Sequence, residues 1–165
     1  DKLVRTFAID PEYLKTAVDE RVANHRDWGI QLGRRFRSLK LWFVLRSYGA
    51  EGLRQILRRH LDLARDFAAW VDDSDDFFRL APAPLQTICF RYHPAGLERD
   101  EDLDTLNRDL LDRVNQSGKA FLTHTRLKGR YCLRISIGQL STEARHVEQA
   151  WTLIKRYARE LNPSS

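Results

Sequence analysis

The sequence predicts an α+β fold: a small antiparallel sheet in the order β-β-α-β-β-α with helices on one face, preceded by an irregular arm and a long buried helix. Two observations support this prediction. From residue 77 onward, short alternating segments are separated by segments whose apolar residues lie three and four apart. Before that point, one stretch is apolar nearly all round, which is typical of a helix with neighbours on several sides.

The first 31 residues show no sustained apolar period. A short piece that we expect to be extended, LVRTFAI, precedes the turn signal Asp10-Pro11 and a polar stretch. We therefore expect residues 1–31 to form an arm and a loop. Residues 32–73 are expected to form linking helices, and residues 74–165 to form a small C-terminal α+β domain.

The linking region predicts two helices. The first is apolar nearly all round between Leu39 and Leu45, which indicates burial, and Gly49 is expected to end it. The second carries an apolar stripe that includes Leu57, Leu61 and Phe67, so it is expected to pack on a sheet or on the first helix.

The C-terminal region predicts four strands and two helices. Residues 77–80 and 85–92 are two strands separated by a proline-containing breaker, and residues 120–127 and 130–137 form a hairpin that turns at Lys128-Gly129. Between these pairs, a helix is expected to begin with the acidic residues 100–102 and to end near Gly118. The last helix is expected to be capped by Ser141 or Thr142.

Strand alternation separates the second hairpin strand into two faces. Leu133, Ile135 and Ile137 share one face, whereas Cys132, Arg134 and Ser136 share the other. Arg134 therefore need not point into the core.

Composition narrows the class of protein. Hydrophobic residues make up 42% and charged residues 31% of the 165 residues, which favours a folded domain. No apolar run approaches the roughly 20 residues that cross a bilayer, and we expect a cytoplasmic protein without a membrane partner. Cys89 and Cys132 lie in strand-like segments without metal-ligand spacing, so we expect buried free thiols and no metal.

The net charge of +5 comes mostly from arginine, which supplies 22 of the 28 basic residues. The densest cluster contains Arg34, Arg35, Arg37 and Lys40. Such a cluster can bind nucleic acid or an acidic protein, or it can clamp carboxylates at an interface. Binding to phosphates would weaken steeply with added salt, which separates these alternatives.

Residues 27–53, DWGIQLGRRFRSLKLWFVLRSYGAEGL, closely resemble the signature of group II pyridoxal-phosphate decarboxylases of the aromatic-L-amino-acid decarboxylase type. AIDPEYLKT at 8–16 resembles the catalytic loop of that family, and YCLRISI at 131–137 resembles its C-terminal strand. The resemblance implies the C-terminal domain of a type I pyridoxal-phosphate (PLP) fold. It further implies a homodimeric enzyme that converts an aromatic amino acid to an amine and CO2, without a nucleic-acid partner.

The family forms its Schiff base with PLP on a lysine that follows a histidine. None of the five histidines here precedes a lysine. We therefore expect this chain to be the C-terminal portion of such an enzyme, to contain no cofactor-binding residue, and to be inactive alone. Its expected partner is the polypeptide that carries the N-terminal and cofactor domains.

The resemblance also assigns roles to four residues. Tyr13 matches the loop tyrosine that protonates the substrate Cα, and its presence favours amine formation over the aldehyde formed by some relatives. Leu32 and Gly33 match positions that line the aromatic pocket across the dimer interface. Arg134 matches a strand arginine that meets the α-carboxylate in glutamate decarboxylases; a structural salt bridge is the alternative role.

Overall fold

A computed structural model describes residues 2–8, 25–30 and 35–162, apart from the side chains of residues 26 and 27. The chain forms two compact units, Asp1–Gly49 and Ala50–Ser165. The first contains helix α1 (Lys2–Phe7), a 3-10 helix (His25–Trp28) and the start of helix α2 (Ser38–Asp72). The second contains the rest of α2 and every strand that the structure describes.

The prediction of an extended piece at the N-terminus was wrong, because these residues form α1. The Val4 carbonyl accepts a hydrogen bond from the Ala8 N–H at 2.8 Å, and the Thr6 hydroxyl donates to the Lys2 carbonyl at 2.8 Å. An isolated strand leaves its backbone groups unpaired, whereas a helical turn satisfies them within the segment. Hydrogen bonds within the segment therefore outweigh the strand propensity of its β-branched residues.

Helix α2 contains the two helices expected from the sequence. They meet at Gly49, where φ is 66° and ψ is 171°. This conformation is essentially restricted to glycine, because a Cβ atom would strain it. The predicted break at Gly49 is therefore confirmed.

The first half of α2 is a helix as predicted, but its apolar side chains are exposed in this chain. From Leu39 to Leu45 they are 41 to 61% exposed. The expected burial is therefore not reached within the described residues. An all-round apolar surface needs neighbours on several sides.

The four strands form one antiparallel sheet in the order β1-β2-β4-β3. Their bounds are β1 Phe77–Arg79, β2 Thr87–Tyr92, β3 Thr123–Leu127 and β4 Arg130–Ser136. At the β3–β4 turn, Lys128 and Gly129 have φ of 51° and 83°, as a two-residue hairpin loop requires. The predicted hairpin is confirmed.

Strand β3 begins three residues later than the sequence predicted. The amide group of Asn115 pairs with the backbone of Leu122, donating to its carbonyl at 3.0 Å and accepting from its N–H at 2.8 Å. The Leu122 backbone is therefore satisfied by a helix side chain instead of a neighbouring strand.

Two further helices complete the domain: α3 (Asp100–Gln116) and α4 (Ala144–Leu161). The acidic start of α3 is confirmed. The predicted cap of α4 at Ser141 or Thr142 was wrong, because Glu143 is the N-cap residue and forms a capping box with His146. The Glu143 N–H donates to His146 Nδ1 at 3.1 Å, so a histidine takes the role usually held by Glu or Gln.

The core lies between one face of the sheet and the helices. Its aromatic centre contains Phe67 of α2, Phe77 of β1, Phe90 of β2 and Trp151 of α4, with ring centroids 5.0 to 6.5 Å apart. Leu133 and the other core-facing residues of β4 pack on the same cluster. The α+β fold class, with helices on one sheet face, is therefore confirmed.

Candidate functional site

Arg134 lies on the sheet face opposite the core, as strand alternation predicted. Its neighbours Leu133 and Ile135 are buried, whereas Arg134 itself is exposed. The strand register places Thr123 of β3 on one side of it and Cys89 of β2 on the other. This face therefore presents a cation beside a hydroxyl group and a thiol.

The Arg134 side chain is held by Thr123. Arg134 Nε donates to Thr123 Oγ1 at 2.9 Å, and Thr123 Oγ1 donates to the Arg134 carbonyl at 3.4 Å. One edge of the guanidinium group is therefore fixed by a neutral acceptor.

The other arginines of the strands all pair with aspartates. Arg79 binds Asp72 through two bonds of 2.6 Å, and the remaining pairs join Arg91 to Asp100 and Asp104, Arg126 to Asp104, and Arg130 to Asp100. Within the described ranges, Arg134 forms no ion pair. The described residues therefore give no support to the salt-bridge alternative for Arg134.

The Arg91 network joins the start of α3 to the sheet. Arg91 is 4% exposed and donates to Asp100 and Asp104 at 2.7 and 2.6 Å. The hydrogen bond from Arg91 is the largest cause that holds the pKa of Asp100 below its usual range. Asp104 also accepts from the Tyr131 N–H and from Arg126, each at 2.9 Å, so this residue of α3 binds three strands. Sequence reasoning missed this network, because its members are far apart along the chain.

Two side chains of α2 hold the loop that follows β4. Arg59 donates to the Leu140 carbonyl at 2.8 Å, and His60 Nε2 donates to the Gln139 carbonyl at 3.1 Å. His60 is 3% exposed although it is polar. The sequence signal that could have predicted this contact is a histidine within the apolar stripe of α2, because a buried polar group needs a hydrogen-bond partner.

The two cysteines are free, as predicted. Cys132 is buried, whereas Cys89 is only partly buried. Burial raises the pKa of the Cys132 thiol to about 11, and the neighbouring Cys89 thiol contributes to this increase. A thiol with this pKa is a poor nucleophile at neutral pH.

A cleft of about 670 Å³ lies on the core side of the domain. Its lining includes acidic residues after α2, among them Asp73 and Asp75, and the basic residues Lys155 and Arg159 of α4. Arg134, the predicted site residue that the structure describes, does not line this cleft. Among the described residues, no group of histidine, cysteine and acidic side chains could hold a metal ion, and no helix is long and apolar enough to cross a membrane.

The family model described as the pyridoxal-dependent decarboxylase conserved domain matches residues 1–93, more than half of the chain. The chain belongs to the pyridoxal-dependent decarboxylase family. The cofactor of this family is pyridoxal phosphate, as the sequence resemblance implied.

Related decarboxylases and an aldehyde synthase resemble nearly all of this chain. It is 42% identical to a phenylacetaldehyde synthase of Arabidopsis thaliana and 41% identical to a tryptophan decarboxylase of Camptotheca acuminata, over 96% and 94% of its length. It spans about a third (32%) of the length of these curated relatives, which corresponds to a C-terminal portion. A crystal structure of Oryza sativa TDC with PLP and tryptamine superposes with a TM-score of 0.87 at 36% identity, covering 96% of this chain and 33% of that one.

The lysines of this chain do not fit a Schiff-base site within the described residues. A reactive lysine of that kind sits in a desolvated pocket. Lys2, Lys40, Lys119 and Lys128 are exposed, and the partly buried Lys155 lies over the Trp151 ring at 5.4 Å from its centroid. No chemical step of the cofactor is therefore assigned to these lysines.

Three of the four predicted site residues, Tyr13, Leu32 and Gly33, lie outside the described residues, as does Arg34 of the basic cluster. Their roles remain predictions from the family resemblance. Arg134 is the predicted site residue that the structure describes.

Proposed function

We propose that the full-length protein containing this chain is a PLP-dependent decarboxylase that releases CO2 from an aromatic L-amino acid and forms the amine. Pyridoxal phosphate, when bound, supplies the electron sink that decarboxylation needs. The residues of this chain bind the substrate and deliver a proton. The observation that carries the proposal is the Arg134 guanidinium, which is exposed and free of an ion pair among the described residues.

Arg134 is suited to bind the α-carboxylate of the substrate. A guanidinium group is always charged at neutral pH, and its planar set of N–H donors matches a carboxylate in two parallel hydrogen bonds. The four other strand arginines are already paired with Asp72, Asp100 or Asp104. Arg134 is therefore the strand arginine best able to accept a carboxylate from outside the chain.

Tyr13 is proposed to protonate the substrate Cα after CO2 leaves. A phenol is a weak acid, with a pKa near 10, that can deliver a proton into a site from which a loop excludes water. Leu32 and Gly33 are proposed to line the aromatic pocket, where a glycine leaves room for a ring. These assignments rest on the family resemblance.

The proposed partners are the N-terminal portion of the same enzyme and a second subunit. The exposed apolar side chains of the first half of α2 support this assignment, with Trp42 53% and Phe43 57% exposed. A contiguous apolar surface of this kind marks an interaction site in a soluble protein. We further propose a cytoplasmic location, where the free thiols of Cys89 and Cys132 would persist.

The second candidate function is conversion of the same amino acids to aldehydes. The similarity to a phenylacetaldehyde synthase favours it. The presence of Tyr13 favours amine formation, because aldehyde-forming relatives typically replace the loop tyrosine. The product decides between the two functions.

The test uses the full-length protein with phenylalanine, tyrosine, dopa and tryptophan, and measures CO2, amine and aldehyde. We expect CO2 and amine in equal amounts from at least one substrate. Aldehyde as the main product would select the second candidate. No CO2 from any of the four substrates by the PLP-loaded protein would refute the decarboxylase proposal.

The role of Arg134 is tested with Arg134→Gln in the same protein. The KM for the amino acid should rise by about 10 to 100-fold, because the lost bonds are charge-assisted hydrogen bonds of roughly 1.5 to 3 kcal/mol. Arg130→Gln is the control, because Arg130 lies on the same strand but binds Asp100. An equal change in KM for both variants would remove Arg134 from the site.

A further inference from the structure

Thr123 is the side chain that orients Arg134. The two residues face each other across the β3–β4 pair, and the hydroxyl group accepts from Arg134 Nε at 2.9 Å. The same hydroxyl lies 3.4 Å from the Arg134 carbonyl oxygen, to which it donates. Because threonine is stiff about its first side-chain bond, this oxygen is a fixed anchor.

The position of this anchor determines which donors remain for a ligand. A carboxylate can bind a guanidinium group side-on, through Nε and one Nη atom, or end-on, through Nη1 and Nη2. Thr123 occupies Nε. The end-on edge therefore remains for a carboxylate.

The chemistry of the anchor also matters. Aspartates neutralise the other strand arginines, whereas a hydroxyl group fixes Arg134, whose charge no carboxylate among the described residues compensates. A threonine thus orients the Arg134 guanidinium group without competing with a substrate carboxylate for it. An aspartate at the same position would orient the group and would also compete for it.

We propose that Thr123 is a positioning residue that holds Arg134 for end-on binding of the substrate's α-carboxylate. This inference rests on the proposed function, since it takes the amino-acid substrate as the ligand of Arg134. Thr123 would act through Arg134 and would not itself contact the reacting atoms.

Three variants of the full-length enzyme test the proposal. Thr123→Val keeps the shape and strand propensity but removes the acceptor, and should raise the KM for the amino acid about 10-fold, as expected for loss of an oriented charge-assisted bond, with a smaller change in kcat. Thr123→Ser retains the hydroxyl group and should restore most of the affinity. Thr123→Asp should weaken binding further, because its carboxylate would occupy Arg134.

The matched control is Thr125→Val. Thr125 lies two residues along the same strand and on the same face, opposite Cys132 instead of Arg134. Its KM should equal that of the wild type. A rise equal to that of Thr123→Val would show that any valine on this face disturbs the strand, and would overturn the proposal.

Two probes separate the carboxylate from the rest of the substrate. The amine product lacks the carboxylate, whereas the arylpropionate with the same ring keeps it and lacks the amino group. Thr123→Val should weaken equilibrium binding of the arylpropionate about 10-fold and leave that of the amine unchanged. Equal losses for both probes, or an unchanged KM, would refute a positioning role.

The arylpropionate also separates this proposal from the proposed function. If the full-length protein releases no CO2 but binds the arylpropionate through Arg134, with loss in Thr123→Val and recovery in Thr123→Ser, the proposed function fails and the positioning role stands. If the arylpropionate binds equally well to wild type and to Arg134→Gln, the positioning role fails whether or not CO2 is released.

Discussion

The two halves of helix α2 are both rich in apolar residues, but they bury them very differently. In the first half, Trp42 and Leu45 are 53% and 47% exposed, whereas in the second half Phe67 and Val71 are 0% exposed. The second half carries one apolar stripe that the sheet and α4 can cover. The first half is apolar nearly all round, so it requires neighbours that the described residues do not supply.

The difference shows that the two units of the chain owe their stability to different sources. The unit from Ala50 onward has a closed core of its own. In the unit that ends at Gly49, the apolar residues from Leu39 to Leu45 are 41 to 61% exposed. Substitutions that destabilise the core of the unit from Ala50 onward should leave the unit that ends at Gly49 unaffected.

The largest effect is expected from Phe67→Ala. Phe67 is 0% exposed, and its ring lies 5.4 Å from those of both Phe90 and Trp151. Its removal leaves a cavity and should lower the free energy of unfolding by about 3 to 5 kcal/mol. Urea unfolding of the 165-residue chain measures the change.

Trp42→Ala is the matched control in the first half of α2. In the 165-residue chain it should change the free energy of unfolding by less than about 0.5 kcal/mol, because the side chain is already exposed. In the full-length protein it should weaken the proposed association with a second subunit. A loss in the short chain as large as that of Phe67→Ala would contradict the contrast between the two halves.

A smaller effect is expected from Asp104→Ala, which tests the polar contacts that close the second unit. The substitution leaves the 4%-exposed Arg91 with Asp100 alone and removes the acceptor of the Tyr131 N–H. The free energy of unfolding should fall by about 2 to 3 kcal/mol, less than for a fully buried pair because Asp100 remains.

Glu101→Ala on the same helix is the control for Asp104. Glu101 pairs with Arg99, and their side chains are 85% and 73% exposed. Exposed pairs contribute roughly 0 to 1 kcal/mol. Equal urea midpoints for the two variants would show that the Arg91 network adds no more than a surface pair.

The smallest effect is expected from Asp100→Asn, which tests the pH dependence of the free energy of unfolding. The pKa of the Asp100 carboxyl is lowered in the folded chain, first by the hydrogen bond from Arg91 and also by the charge of Arg130. A lowered pKa contributes stability above the unfolded-state value of about 3.9, and this contribution is lost as the pH falls through the folded-state pKa. Asp100→Asn should therefore narrow the difference between the urea midpoints at pH 6 and pH 3.

Asp109→Asn is the control for this pH effect, because Asp109 is exposed on the same helix. It should leave the difference between the two midpoints as in the wild type. If Asp100→Asn also leaves the difference unchanged, the contact of Asp100 with Arg91 does not contribute to stability.

Part of the candidate site could be derived by counting along the sequence. A two-residue turn at Lys128-Gly129 sets Thr123 opposite Arg134, and strand alternation puts Arg134 on the face away from Leu133. The sequence could not show that Arg134 lacks an ion pair among the described residues. That result depends on where the aspartates of α2 and α3 come to lie.

The sequence by itself determined the order of the elements from α2 onward, the break at Gly49 and the hairpin, because periodicity and glycine conformations act over a few residues. The tertiary structure alone decided the pairing of Arg91 with Asp104 and the bond between His60 and the Gln139 carbonyl. These features depend on which hydrogen-bond partners are within reach in three dimensions. Backbone groups and buried charges take the partners that the folded chain brings to them, and a local pattern does not specify those partners.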